Sequence, residues 1–322
     1  MAHEVQQMAY VGETPWHGLG NRLSPNQPLE IWQREAGMDW RIESSAVHFK
    51  SVGSGLLAPI HTFPAQKVLY RSDTQEPLSM VSQRYQVVQT NEVLEFYRNL
   101  TEVSGYELET AGVLKGGRKF WALARTGQSV ALKGGDEVGG YLLLATSCDD
   151  TLATTATPTT VRVVCNNTLA LSLNGTISAI KVPHNTRFNP DLVKKQLGVA
   201  VSRWDEFMYE MRMLAERKVS SKEAERFFNQ VLSVTSTDAT ASARQTNRHA
   251  ISKAHSLYDG RGKGAELASA NGTAWGLLNA VTEFVDHEKR ARSADYRIDS
   301  AWFGQGAMLK QRALHSALSL VA

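Results

Sequence analysis

The spacing of apolar residues changes near residue 190, and this change limits the possible folds more than any other feature. Before it, short apolar runs such as residues 67–70 and 78–81 alternate with Gly, Pro, Ser and Asp, which is typical of strands joined by turns. After it, apolar residues recur at intervals of four and three over residues 193–214, which is typical of helices. A strand-rich part followed by a helical part predicts the α+β class.

The pattern divides the chain into an irregular N-terminal arm at residues 1–39, an antiparallel sheet core at 40–189 and a helical region at 190–322. A short helix at residues 29–35 is expected between Pro28 and Gly37. One further helix, at residues 91–101, is expected within the sheet core. The helices expected in the last segment are 193–214, 221–232, 239–257, 273–287 and 307–321.

Two apolar runs, at residues 109–114 and 120–124, predict a β-hairpin. They flank a Gly-Gly pair that accepts the positive φ angles of a tight turn. The turn carries three cations, namely Lys115, Arg118 and Lys119. Beyond the hairpin, the Thr-rich residues 151–160 predict a strand with one solvent-exposed face. Residues 161–173 are ambiguous between strand and helix, and we expect a strand end that turns into a helix.

The composition is that of a globular protein, with 42% hydrophobic and 21% charged residues. No apolar run reaches the roughly 18 residues of a membrane span, and the N-terminus lacks the features of a secretory signal. The two cysteines, Cys148 and Cys165, are too few for a disulfide framework or a four-thiolate zinc site. A reducing cytoplasm is the expected location.

The motifs of common enzymes do not occur in the sequence. Residues 112–119 read GVLKGGRK, with Arg and Lys where a phosphate loop needs Lys and Ser or Thr. There is no HExxH metal motif, and Cys165 in its apolar run is typical of an inert core thiol. Asp149 and Asp150 form either a solvated acidic turn or part of a divalent-cation site. We therefore expect no cofactor and no catalytic metal.

Charge is distributed unevenly along the chain. Residues 1–150 contain 13 basic and 17 acidic residues, and the remainder contains 22 basic and 15 acidic residues. Such a balance indicates either a mildly basic surface or a polyanionic partner such as a nucleic acid. The candidate contact residues are Lys115, Arg118, Lys119, Arg162, Arg244, Arg248, Lys253, Arg261 and Lys263.

Six segments together resemble the phage/plasmid-like protein family, a family of unknown function carried by bacteriophages and conjugative plasmids. They read TPWHGLG (14–20), YQVVQ (85–89), GGRKFWALA (116–124), TPTTVRVVCNNTL (157–169), GTAWGLLNAVTEFVDH (272–287) and SAWFGQGAMLKQRAL (300–314). A helix beside a curved sheet with a protruding basic hairpin is also similar to phage single-strand annealing recombinases. That resemblance implies binding of single strands in a basic groove, assembly into rings or filaments, and no need for ATP or metal.

The resulting hypothesis is a homo-oligomeric protein, encoded by a phage or plasmid, that binds and anneals single-stranded DNA in the cytoplasm of a host bacterium. The hairpin cations would contact phosphates or the opposing strand, and the other candidate cations would line a groove for the backbone. A phage or host replication or recombination protein is a further expected partner, and no membrane is. One alternative is a protein-binding anti-defence or host-takeover factor that presents Trp204, Trp275 or Trp302. The other is a metal-dependent nucleic-acid enzyme that uses Asp149, Asp150 and a histidine.

Overall fold

The computed structural model describes residues 7–12, 15, 19–51, 59–173, 176–201, 203–233 and 241–322. The strands are β1 (Met8–Val11), β2 (Asn21–Leu23), β3 (Ile42–Lys50), β4 (Ile60–Arg71), β5 (Pro77–Ser82), β6 (Glu107–Leu114), β7 (Lys119–Leu132), β8 (Asp136–Ser147), β9 (Thr154–Arg162), β10 (Asn167–Ala170), β11 (Ser172–Leu173), β12 (Thr176–Ile177) and β13 (Ile180–Val182). The helices are α1 (Leu29–Glu35), α2 (Thr90–Ser104), α3 (Pro190–Val201), α4 (Trp204–Glu216), α5 (Ser221–Leu232), α6 (Ala241–Ser256), α7 (Ala274–Glu283), α8 (Ala294–Phe303) and α9 (Gln305–Leu318). A sheet-rich part precedes the helices, so the predicted α+β class is confirmed.

The main sheet has the strand order β10-β9-β8-β7-β6-β1-β2, and β13 pairs with the end of β9 that β10 leaves open. Neighbouring strands run antiparallel, except that β1 and β2 pair in parallel. Strands β6 and β7 form the predicted hairpin. A separate antiparallel sheet has the order β3-β4-β5.

Helix α2 covers one face of the main sheet, which we call the inner face. Leu94, Phe96 and Tyr97 of α2 pack in one buried cluster with Leu142 and Leu144 of β8. The Tyr97 hydroxyl accepts a hydrogen bond from the Leu144 amide at 2.9 Å, which ties the helix to the sheet. The helices predicted at residues 29–35 and 91–101 are thus confirmed as α1 and α2.

Helices α4 and α7 pack against the end of the sheet at which β8 begins, and α8 and α9 lie against the face opposite α2. Val138 of β8 shares a buried cluster with Phe207 of α4 and Trp275 of α7. The apolar seam over residues 193–214 belongs to two helices, α3 and α4, and not to one as predicted. Its side chains are buried within the chain, since Val193 packs in the inner-face cluster and Phe207 in the helical cluster. Among the described residues, no helix is long and apolar enough to span a membrane.

Two predictions for the segment around β9 are wrong. Residues 161–173 do not turn into a helix, because β9 continues to Arg162 and β10 returns beside it after a turn at Asn166, where φ is +53°. Strand β9 also lacks the predicted solvent-exposed face. Helix α3 covers its inner face, and Trp302 and α9 approach its outer face. The division into three segments stays a prediction, and its boundary at residue 190 coincides with the start of α3.

Candidate nucleic-acid interface

The turn of the β6–β7 hairpin is held by helix α8. Asp299 of α8 accepts from Lys115 Nζ at 2.5 Å and from Lys119 Nζ at 2.6 Å. Lys119 is only 5% exposed, and its ammonium group also lies 5.8 Å from the centre of the Phe303 ring. Arg118 is the exposed cation of this turn. Two of the three turn cations predicted to contact DNA therefore share one carboxylate within the protein.

Arg162 lies inside the protein, where it connects the sheet to the helical part. Its Nε donates to both carboxylate oxygens of Asp136, at 2.8 and 3.0 Å, and its Nη atoms donate to the carbonyl oxygens of Lys263 and Gly264. Asp136 also accepts from the Ser269 hydroxyl at 2.7 Å. A third donor to Asp136 is the indole Nε1 of Trp275, at 2.9 Å. Each hydrogen-bonding group of this buried pair thus has a partner, as burial of an ion pair requires.

The remaining candidate cations lie on and after α6. Arg248, Arg261 and Lys263 are exposed, and Lys253 pairs with Glu288 at 3.2 Å. The side chain of Arg244 lies outside the described residues. Lys263 lies near the end where β8 begins, and Arg118 lies near the end where β8 stops. The helical cations and the hairpin-turn cations are therefore at opposite ends of a twelve-residue strand. That separation is roughly 36 Å at about 3.3 Å per residue, so the cations form no single patch.

A surface that the sequence reasoning missed is the two-stranded ribbon formed by β3 and β4, which we call the ribbon. In its outer half, Val47 pairs with Phe63 and Phe49 pairs with His61, so these four side chains share one face. Phe49 is 51% exposed and Phe63 is 43% exposed, and the Phe49 and His61 rings stack with centroids 5.2 Å apart. The ribbon therefore presents three aromatic rings on a face that packs against nothing in the described part of the chain.

The ribbon itself carries a net positive charge, since Lys50, Lys67 and Arg71 outnumber Glu43. Residues 44–72 contain no Asp or Glu, and this run was the sequence signal that could have identified the ribbon. Lys50 lies exposed on the face opposite the rings. Arg41 directly precedes β3 and Arg84 follows β5, and both are exposed. Gly117 of the hairpin turn packs against Trp40, which brings Arg118 near the base of the ribbon.

The outer face of the main sheet carries a second site, a cleft of about 500 Å³ that we call the outer cleft. Two β-bulges shape it. Glu109 is the extra residue of a bulge in β6, between residues that pair with Ala124 and Leu123. A wider bulge in β7 separates Arg125 from Ser129, and Gly127 within it has a φ of +80°, which favours glycine. Bulges of this kind redirect side chains next to functional sites.

The bulge in β6 turns Glu109 toward the outer face, where two partners hold it. Arg125 donates to Oε2 through Nε at 3.1 Å and Nη2 at 2.5 Å, and the Tyr141 hydroxyl donates to the same oxygen at 2.9 Å. Burial and the Glu109 carboxylate raise the pKa of Tyr141 to about 12, so its hydroxyl stays a donor at neutral pH. Although burial opposes its charge, Tyr141 and Glu109 raise the pKa of Arg125.

Trp302 of α8 separates the outer cleft from a larger and more apolar one, of about 700 Å³, between β9 and α9. Its indole Nε1 donates to the Thr168 hydroxyl at 3.1 Å. The same hydroxyl accepts from buried Lys310, whose ammonium group pairs with Asp286 at 2.9 Å. The charge of Lys310 is therefore matched internally and is not offered to a ligand in either cleft.

The residues named for an enzymatic alternative do not converge. Within the described ranges, no three His, Cys, Asp or Glu residues lie close enough to hold a metal ion. Asp149 accepts from the Thr151 amide at 3.1 Å and from its hydroxyl at 2.6 Å, which closes a local turn. Cys148 and Cys165 are buried, and burial raises the pKa of each thiol to about 12. Trp204 and Trp275, named for a protein-binding role, are also buried.

Comparison with known proteins yields one match. A family model described as a domain of unknown function (DUF932) matches residues 77–302, which is more than half of the chain. The matched part contains the hairpin, most of the outer cleft and most of the helical part, and the ribbon lies before it. No curated protein and no solved structure matches the chain.

Proposed function

The chain belongs to the family described as a domain of unknown function (DUF932), and we propose that it binds single-stranded DNA and promotes the annealing of complementary strands. The observation that carries the proposal is the ribbon, which presents Phe49, His61 and Phe63 on one exposed face within a segment free of acidic residues. Proteins that bind single strands combine flat side chains for base stacking with cations for the backbone.

The ribbon fits stacking better than it fits a purely structural role. A two-stranded hairpin is marginally stable alone, and its exposed cross-strand pairs contribute only about 0.2–1 kcal/mol each. Ring faces that are open to solvent on Phe49 and Phe63 can receive bases instead. Lys50 and the arginines Arg41, Arg84 and Arg118 around the ribbon base supply charge for phosphates.

Stacking on the ribbon also suits annealing. A base held by its face keeps its hydrogen-bonding edge free for a complementary strand, so pairing needs no covalent step and no nucleotide hydrolysis. The resemblance of six segments to phage/plasmid-like proteins, and of the expected fold arrangement to single-strand annealing recombinases, supports this role in a bacterial host. In this proposal the DNA contacts shift from the internally paired Lys119 and Arg162 to the ribbon. Assembly into a homo-oligomer stays a prediction, and the buried α3–α4 seam is not its interface.

Fluorescence anisotropy of a labelled oligo-dT strand, measured across a salt series, tests the proposal. Replacing both rings, Phe49→Ser with Phe63→Ser, should weaken binding about 30-fold or more, since each stacked base contributes about 1–3 kcal/mol. Tyr209→Ser is the matched control, because Tyr209 is 63% exposed on α4, away from the ribbon. Lys50→Glu should lower the salt slope by about 0.7, the contribution of one phosphate contact in a single strand.

Annealing should proceed in EDTA without ATP, faster than the spontaneous reaction, and the Phe49→Ser, Phe63→Ser variant should lose most of that acceleration. Failure of the wild-type protein to bind oligo-dT at low salt would remove the proposal. If the ribbon variants bind normally and Arg248→Glu with Lys263→Glu weakens binding, the contact surface is the helical part. Metal-dependent cleavage that Asp149→Ala with Asp150→Ala abolishes would instead establish the enzymatic alternative.

A further inference from the structure

The outer cleft presents hydrogen-bonding groups that the protein itself leaves unused. All three bonds to the Glu109 carboxylate go to Oε2, and among the described residues no donor bonds to Oε1. Thr110 is 7% exposed, and its hydroxyl oxygen is closed to solvent and has no partner among the described residues. It lines the cleft beside Glu109, because it pairs with Leu123 on the outer face. Buried polar groups are rarely left unpaired without a functional reason.

The arrangement of Glu109 argues that the cleft is a built site. In a regular strand Glu109 would pair with its own residue on β7. Here Leu108 and Thr110 pair with the neighbouring residues Ala124 and Leu123, so Glu109 is an extra residue in a bulge. The insertion costs one ladder pairing and brings a carboxylate to Arg125 and Tyr141. Two donors then fix the carboxylate through one oxygen and leave the other free, which is how binding sites orient an acceptor for a ligand.

The electrostatics of the outer cleft exclude several classes of ligand. Glu109 and Glu137 line it, and Arg125 is its one cation among the described lining residues. A phosphate or carboxylate would face this excess of negative charge, so an anionic head group does not fit. A neutral ligand with N–H donors fits, because a carboxylate oxygen accepts a short, strong hydrogen bond.

The shape of the outer cleft favours a flat ligand of modest size. Its volume of about 500 Å³ lies within the usual range for small-molecule sites. Trp302, Leu123 and Val161 provide apolar walls, and Trp302 is partly exposed. A planar heterocycle would cover these walls while its edge reaches Glu109 and Thr110.

We propose that the outer cleft binds one guanine base, presented by a nucleoside. The N1–H and the exocyclic amino group of guanine form an adjacent pair of donors, which match Glu109 Oε1 and the Thr110 hydroxyl once rotation of that side chain turns its oxygen from the wall into the cleft. The neighbouring carbonyl oxygen of guanine accepts from Arg125, whose Nη1 does not bond to Glu109. Adenine has no N1–H and no carbonyl group at this edge, so it lacks both contacts. The site is separate from the ribbon and does not rest on the proposed strand binding.

Calorimetric titration with guanosine, inosine and adenosine tests the assignment. Guanosine should bind tightest, inosine more weakly because it lacks the amino group, and adenosine weakest. Glu109→Gln should reduce guanosine affinity about tenfold or more, since a hydrogen bond to a charged group is lost. In that variant the amide oxygen still accepts from Arg125 and Tyr141, and its NH2 group faces the ligand. Glu76→Gln, on an exposed turn outside the cleft, is the matched control.

Thr110→Val separates a binding role from a structural one. The valine preserves shape and removes a hydroxyl that has no partner in the described structure, so the urea midpoint should stay the same or rise. Guanosine affinity should nevertheless fall about threefold to tenfold, since one hydrogen bond is lost. Unchanged affinity in both Glu109→Gln and Thr110→Val, or no saturable guanosine binding up to millimolar concentration, would overturn the assignment.

The proposed strand binding fails or survives independently of this test. Oligo-dT contains no guanine, so Glu109→Gln should bind it like the wild type. Guanosine binding without oligo-dT binding would leave the cleft assignment intact and remove the ribbon proposal. Equal affinity for guanosine and adenosine would show an apolar pocket without base recognition, which contradicts the assignment.

Discussion

Replacing Asp136 decides whether Arg162 supports the fold or contacts DNA. Asp136 is 1% exposed and Arg162 is 3% exposed, and the carboxylate also accepts from Ser269 and Trp275. Asp136→Asn keeps the side-chain volume and removes the charge that balances the guanidinium. Breaking a buried ion pair from one side costs about 3–5 kcal/mol, because the other charge stays buried without its partner. We expect that loss in the free energy of unfolding.

A double-mutant cycle tests the origin of this loss. Arg162→Met alone should also cost about 3–5 kcal/mol, because it leaves Asp136 as the uncompensated charge. The double variant should cost at least about 2 kcal/mol less than the sum of the single changes, since neither charge is then left alone. Ser269→Ala, which removes one of several donors, should cost about 1–2 kcal/mol. Urea titration, followed by tryptophan fluorescence and far-ultraviolet circular dichroism, measures all four variants.

The same variants separate the two roles of Arg162. If Arg162 is structural, the Asp136 and Arg162 variants should be less stable than the wild type. Their salt slope of oligo-dT binding should be unchanged under conditions where they are folded. A phosphate-contacting Arg162 predicts the reverse, with near-native stability and a slope smaller by about 0.7. A loss below about 1 kcal/mol in Asp136→Asn would refute the reasoning, because a buried guanidinium cannot lose its counter-charge so cheaply.

Three further predictions follow from buried groups. Asp299→Asn should lower the free energy of unfolding by about 3 kcal/mol in urea titrations, because Lys119 would stay buried without its acid. Cys148 and Cys165 should not react with a disulfide reagent at pH 8 until guanidinium unfolds the protein, since burial raises both thiol pKa values to about 12. Burial lowers the pKa of His287 below 6.5, so the unfolded state binds its proton more readily. Wild-type stability should therefore fall, relative to His287→Gln, as the pH drops below about 6.5, and parallel urea midpoints from pH 7.5 to pH 5 would contradict this.

The sequence could predict those elements whose signals are local. The helix at residues 91–101 and the β6–β7 hairpin follow from periodicity and from a Gly-Gly turn, and both occur in the structure. The helix expected within residues 161–173 is wrong. The apolar run there suits a helix or a strand equally, and only the pairing of β10 with β9 makes it a strand. The aromatic residues and the acid-free run 44–72 could be read from the sequence, but the register that aligns Phe49, His61 and Phe63 could not.

The candidate site depended on contacts between residues far apart in the chain. Lys119 and Asp299 are 180 positions apart, and Arg162 and Asp136 are 26 apart, so composition counted these cations as available when the fold neutralises them. The bulge at Glu109 is a one-residue change in register between β6 and β7, and no local pattern specifies it.

The sequence by itself therefore determined the strand-rich part, the helical part and the elements with strong local signals, because hydrophobic periodicity and turn residues act over a few positions. Only the tertiary structure decided which charged side chains form internal ion pairs and which polar atoms remain without a partner inside the protein. The physical reason is that burial makes an unpaired charge costly, so partners must meet wherever the packing brings them together. Exposed Arg118 and buried Lys119 lie next to each other in the turn, and only their surroundings distinguish a surface cation from a structural one.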